Sequence, residues 1–148
     1  MLDQRLATRV ENFVSRLKRE SVCMHGFILD VRGEVKATAY YPPFVEGEAH
    51  RMYSVSKSMT ALAIGLLLDE GKISLDDCIA DYFRDFLPEK PDARLMRLKI
   101  RDMLRMATCY RATVYRETDD DWTKPFFTAE PTHEPGTVFH YDTGCSQV

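Results

Sequence analysis

No stretch of this 148-residue chain is apolar for long enough to cross a bilayer. The longest run free of polar side chains is 61–68, whereas a membrane helix needs about 20 residues. The opening MLDQRLATRVENFVSRLKRE is too charged, and too poor in a central apolar block, to read as an export signal. A cytoplasmic location is the expectation. Net charge is only −3, with acids and bases intermingled, so neither nucleic acid nor an anionic membrane is expected as a partner. The four cysteines (Cys23, Cys78, Cys109, Cys145) contain no C-x-x-C pair, and buried free thiols are expected rather than a disulfide framework. The four histidines (His25, His50, His133, His140) make no H-E-x-x-H pattern, which argues against zinc. No metal or cofactor is implied.

What is present is enough for one folded region with a core: 45% of residues are hydrophobic and 29% charged. Leu2, Leu6, Val10, Phe13, Val14 and Leu17 recur at helical spacing, so 3–19 reads as an amphipathic helix. An apolar stretch at 22–31, a polar turn at Arg32, Gly33 and Glu34, and the alternating VKATAY read as a β-hairpin ended by Pro42 and Pro43. A strong helical pattern runs from Ser54 to Glu70, with Gly71 where a C-cap belongs. SLDD at 74–77 predicts a short helix through Phe86 with Ser74 as its cap, and 97–109 predicts another. Residues 110–140 read as irregular, with Asp119, Asp120 and Asp121 as a solvated run. A loop of that length is often functional, for example in lining a cleft. The element order suggests α+β: a helix on an antiparallel sheet, then a helical region. The expected division is 1–50 (helix and hairpin) and 51–148 (the Ser54 helix and helical region).

YSVSKSMTALAIGLLLDEGK, residues 53–72, holds a Ser-x-x-Lys pair, Ser54 and Lys57. The pattern alone is weak. Seven serines and seven lysines give about 0.3 matches by chance, and SRLK at Ser15 to Lys18 is a second hit. A lysine acting as base must be neutral, so its pKa has to fall from about 10.4 toward roughly 7, which costs about 4 kcal/mol. A helix N-terminus supplies only about 0.3–1 kcal/mol of that, and burial must supply the rest. Lys18, among Arg16, Arg19 and Glu20, has no such help. Lys57 opens a helix carrying Met59, Leu62, Ile64, Leu66, Leu67 and Leu68, a composition that predicts burial. Residues three apart share a face, and a backbone N–H at the helix start could receive an oxyanion. The residues alone leave two readings open: Ser54 as nucleophile with Lys57 as base, or Ser54 as N-cap with a solvated lysine. Ser56 and Ser58 could equally be the cap.

Three ordered segments carry a resemblance. MYSVSKSMTALAIGLLLDEGKISLDDCIADYF (52–83) closely resembles the active-site helix of the serine β-lactamases and penicillin-binding proteins, nearest the class C β-lactamases and related esterases. KIRDMLRMATC (99–109) is similar to the helix before that family's TSG turn, here TCY. EPGTVFHYDTG (134–144) resembles its P-G-x-x-x-x-Y-x-N segment, with Tyr141 following Ser54 by 87 positions. The resemblance runs over roughly residues 22–148.

It implies a β-lactamase-like α+β fold and a serine hydrolase forming an acyl-enzyme on Ser54, with Tyr141 working beside Lys57. Thr143 stands where the family usually has a substrate-contacting asparagine, which puts substrate preference in question. A small ester or amide, or a peptide, would be the substrate. The family's K-T-G or H-x-G strand has no counterpart before Val148, so the chain is expected to be an N-terminal piece, inactive by itself. Its missing C-terminal portion or another copy of the chain would be its partner. An esterase or peptidase is the first expectation, with a D-alanyl carboxypeptidase or true β-lactamase next. A non-catalytic binding or assembly module on the same scaffold is the alternative from another class.

Overall fold

The computed structural model describes residues 3–115 and 120–148. Asp119 of the acidic run, and Leu2 of the first apolar stripe, lie outside the described residues. The chain forms two compact units, Met1–Arg51 and Met52–Val148.

In the first unit, helix α1 spans Gln4–Arg19. Asp3 caps it, its carboxylate accepting from the Leu6 N–H at 2.7 Å, and Arg16, Lys18 and Arg19 sit in the last turn, where the helix dipole favours cations. Strands β1 (Gly26–Val31) and β2 (Glu34–Tyr40) pair antiparallel, from Gly26 opposite Tyr40 to Val31 opposite Glu34, with an irregularity between Leu29 and Asp30. The two-residue turn needs positive φ at both positions, which Arg32 (56°) and Gly33 (80°) adopt. The Asp30 carboxylate accepts from the Gly33 N–H and pins the turn. The first strand is shorter than the 22–31 expected. Phe13 of α1 meets Phe27 of β1 edge to face, with ring centroids 5.9 Å apart.

The second unit opens with a 3₁₀ turn, Tyr53–Val55, that runs into helix α2, Ser56–Asp69. Gly71 ends it at φ 66°, its N–H bonding to Leu68 O while the Lys72 N–H bonds to Leu67 O. These two bonds make a Schellman stop, which glycine accommodates without a Cβ clash. The expected helix over 74–86 does not form. Ser74 and Asp77 do exchange turn hydrogen bonds, but Cys78 is extended and bridges Lys99. The N–H groups of Ile79, Ile100 and Arg101 bond to Leu98, Asp77 and Leu75 carbonyls, so these donors serve a cross-chain clasp. Only 3₁₀ turns at Ile79–Asp81 and Arg84–Phe86 remain.

The helix expected over 97–109 likewise contracts to α3, Ile100–Leu104. Lys99 is extended before it and Met106 (φ 53°) breaks it afterwards. Within the stretch read as irregular, Thr123–Thr128 forms α4, and the chain reaches α5 at Gly144–Gln147. Phe126 and Phe127 explain α4: both are buried to within 1% and pack among Leu95, Leu98, Cys109 and Tyr110. Burying each ring contributes about 1.5–3 kcal/mol, enough to order a short helix of indifferent propensity. Tyr110 donates its hydroxyl to Phe126 O at 2.5 Å, and burial pushes its phenol well above the ordinary range.

Two further expectations change. Helix α2 is not enclosed: Met59, Leu62 and Leu66 are 62%, 59% and 58% exposed, and only Ile64 reaches the core cluster. Its apolar residues are spread round the helix, and one face is all this unit's core covers. Among the cysteines, Cys109 and Cys145 are buried free thiols, whereas Cys23 is exposed and Cys78 half-buried.

Candidate active site

Ser54 lies inside the 3₁₀ turn, not at an α-helical cap. Val55 occupies the N-cap position of α2, and no side chain caps it. Ser56 instead donates its hydroxyl back to Tyr53 O at 2.7 Å, holding the turn closed. Tyr53, just before Ser54, takes φ 47°, a left-handed value that side chains rarely adopt and that recurs at functional turns. The Ser54 hydroxyl is thus left free for other partners.

It has two. The Lys57 ammonium donates to Ser54 Oγ at 3.2 Å, as the three-residue spacing predicts. The Tyr141 hydroxyl donates to the same atom at 2.7 Å. Lys57 also donates to Thr143 Oγ1 at 3.3 Å and lies 5.5 Å from the centroid of the Tyr141 ring. All four sequence-derived residues, Ser54, Lys57, Tyr141 and Thr143, therefore meet. Ser15 and Lys18, the other pair of the same pattern, are both exposed on α1.

The segment bearing Tyr141 is held by backbone bonds. The Gly136 N–H bonds to Ala107 O at 2.7 Å and the His140 N–H to Met106 O at 2.9 Å, tying both ends of the turn to the end of α3. Gly136 has φ 77°, and a Cβ there would stand 2.9 Å from Asp102 Oδ1, so only glycine fits. Asp102 itself is buried and accepts from the Lys99 N–H.

Tyr141 is 52% exposed, so it is not part of the core. Its phenol is lowered from the usual 10, first by the hydrogen bond with Ser54 and then by the positive charge of Lys57. The site thus holds the Ser54 hydroxyl between a lysine and an acidified phenol, an arrangement suited to moving a proton off that hydroxyl.

Two residues that sequence reasoning passed over border this cluster. Asp142, between Tyr141 and Thr143, is 2% exposed; its Oδ1 accepts from the Gly144 N–H at 3.1 Å and from Thr113 Oγ1 at 3.3 Å. Tyr115 packs against Gly144 and stacks on Trp122, with ring centroids 3.8 Å apart. An acid flanked by two site residues was a usable signal for Asp142. Nothing in the sequence marked Tyr115, within a stretch lacking periodicity. Among the described residues no group of three or more His, Cys, Asp or Glu could hold a metal. An apolar cavity of about 360 Å³ lies on another side of α2, lined by Ile64, Leu67, Ile73, Met103 and Cys145, and none of the four site residues lines it.

A family model described as Beta-lactamase matches residues 25–145. Over 77 residues the chain is 35% identical to a 6-aminohexanoate-dimer hydrolase of Paenarthrobacter ureafaciens, covering 52% of this chain and 19% of that protein. Among solved structures it is similar to a Bacillus anthracis protein described as a 6-aminohexanoate-dimer hydrolase, at TM-score 0.64 and 19% identity. That match covers 88% of this chain and 39% of the solved one, and it shows a shared β-lactamase-like α+β fold. The chain thus spans well under half the length of the relatives it matches.

Proposed function

The chain belongs to the beta-lactamase family, and from that premise we propose that Ser54 is the nucleophile of a hydrolase that works through an acyl-enzyme. The observation carrying this reading is the convergence of Lys57 and Tyr141 on Ser54 Oγ at 3.2 and 2.7 Å. With the Tyr141 phenol ionised, the short contact reverses and Ser54 donates into it. Attack on an ester or amide carbonyl then forms the Ser54 Oγ–carbon bond as that proton passes to Tyr141. Tyr141 returns the proton to the departing alcohol or amine as the carbonyl–heteroatom bond breaks. Water then gives a proton to the same phenolate as its oxygen bonds to the acyl carbon, and Tyr141 passes that proton to Ser54 Oγ as the Oγ–carbon bond breaks. Lys57 holds Ser54 in line and lowers the Tyr141 phenol by its charge. The Ser54 backbone N–H, at the open end of its turn, is the proposed oxyanion donor.

A 6-aminohexanoate dimer joins its units through an amide, so this compound and simple esters are the substrates to try first. A fluorophosphonate tests the nucleophile directly: the adduct is located by mass spectrometry in the intact protein, with Ser54→Ala as control. An adduct on Ser54 is expected. A folded protein without one would favour a binding or assembly module on this scaffold. Labelling by the phosphonate but not by a fluorescent penicillin would point to an esterase or amidase rather than a β-lactamase.

A further inference from the structure

Tyr141 shares its face of the segment with a second aromatic ring. From Thr137 to Asp142 exposure alternates: Thr137, Phe139 and Tyr141 face outward, while Val138, His140 and Asp142 turn inward. The His140 N–H bond to Met106 O fixes the residue between the two aromatics, which holds both on one side. Two steps along an extended segment span about 7 Å, close enough for one small molecule to touch both rings. Phe139 is 71% exposed, and Met52, Tyr53 and Val55, on either side of Ser54, are exposed as well. Single apolar side chains on a surface are ordinary, but here they gather on the two segments that meet at one serine. Between Pro135 and Thr143 the one acid is Asp142, which is buried with its Oδ1 on the Gly144 N–H, and there is no lysine or arginine.

We infer that Phe139 is a specificity-determining residue: its ring carries the leaving group of the substrate and selects an apolar, uncharged alcohol or amine. The side of the substrate follows from the path of the proton. Tyr141, whose hydroxyl lies 2.7 Å from Ser54 Oγ, gives its proton to the departing heteroatom, so that atom sits over Tyr141. What the heteroatom carries has two ways to run along the segment. Toward Thr143 the way is taken, because the Thr143 hydroxyl already receives Lys57 at 3.3 Å. In the other direction Phe139 is the next outward side chain. A charged group there finds no counter-charge on the segment, whereas a hydrocarbon leaves water against the ring. A fully buried methylene is worth about fourfold in binding, and one resting on an open ring about twofold.

The inference rests on Ser54 being the nucleophile, and a series of acetate esters separates the two. Methyl, butyl and hexyl acetate all leave the same acetyl-enzyme, so their kcat/KM values differ only through the step in which the alcohol departs. In the intact protein kcat/KM is expected to rise about twofold per methylene, or about 30-fold from methyl to hexyl acetate. Phe139→Ala is expected to lower kcat/KM for hexyl acetate at least about tenfold and to leave methyl acetate within about twofold. Phe139→Leu keeps apolar bulk and is expected to restore most of the gain. A merely structural role would lower all three esters alike. A flat series in the parent, or an unchanged hexyl-to-methyl ratio in Phe139→Ala, overturns the inference while a fluorophosphonate still labels Ser54. An unlabelled Ser54 in the folded parent overturns the nucleophile, and the leaving-group site with it. Should Phe139→Ala fail to fold, the parental series decides, and a flat one overturns the inference.

Discussion

Tyr141 and Ser54, 87 positions apart in sequence, meet hydroxyl to hydroxyl at 2.7 Å. That contact is long-range and solvent-exposed, and it is the shortest of the bonds that converge on Ser54. If the phenol moves the serine proton, Tyr141→Phe should lower Ser54 labelling by a fluorophosphonate about 10²–10⁴-fold, the usual worth of a general base. A parental rate in the folded variant would remove Tyr141 from the proton path.

The titration of that phenol has a definite sign. Ser54 and Lys57 both favour the phenolate, so Tyr141 ionises below the usual 10. Labelling should therefore rise with pH through a midpoint lower than that of an ordinary phenol. Lys57→Met removes a neighbouring positive charge, which must move the midpoint upward. Ultraviolet difference titration against Tyr141→Phe isolates this one phenol, and a downward or absent shift contradicts the proposed pairing.

The two Ser-x-x-Lys pairs make an internal comparison. Lys57→Ala should reduce Ser54 labelling at least about 10²-fold, because it removes a donor from Ser54 and the cation beside Tyr141. Lys18→Ala, on exposed α1, should leave the rate as it is. Equal losses from both would mean that lysine changes act through stability alone, which thermal denaturation of each variant would reveal.

Stability has its own test at Gly71. A Cβ there meets nothing within 4 Å, so Gly71→Ala costs only the left-handed backbone, about 1 kcal/mol. Tyr110→Phe should cost more, about 1–3 kcal/mol, because it leaves the buried Phe126 carbonyl without its donor. Urea denaturation midpoints should rank the two in that order, and the reverse order would show that the Schellman stop matters more than the buried hydrogen bond.

Local chemistry made several elements legible in the sequence. The stripe from Leu6 to Leu17 encoded α1, alternation around Arg32-Gly33 encoded the hairpin, and Gly71 encoded the end of α2. Each depends on contacts within a few residues, which periodicity and turn preference describe. The three ordered motifs also disclosed the α+β, β-lactamase-like fold. The pair Ser54 and Lys57 was visible because three-residue spacing on a helical turn guarantees proximity.

Tertiary structure decided the rest. SLDD looked like a helix start, but Cys78 joined Lys99 in a bridge, and cross-chain bonds outweighed local propensity. Helix α4 formed because Phe126 and Phe127 found a core, not because its own residues demanded a helix. The run of leucines in α2 predicted burial, yet only one face meets a core here. Lys57 therefore takes its setting from the hydroxyls of Ser54 and Thr143 and the ring of Tyr141, not from an apolar enclosure. Sequence by itself determined which side chains could do the chemistry and which helix would carry the serine. Only the folded chain decided that Tyr141 reaches the serine, because hydrogen bonds between distant segments leave no periodic trace along the chain.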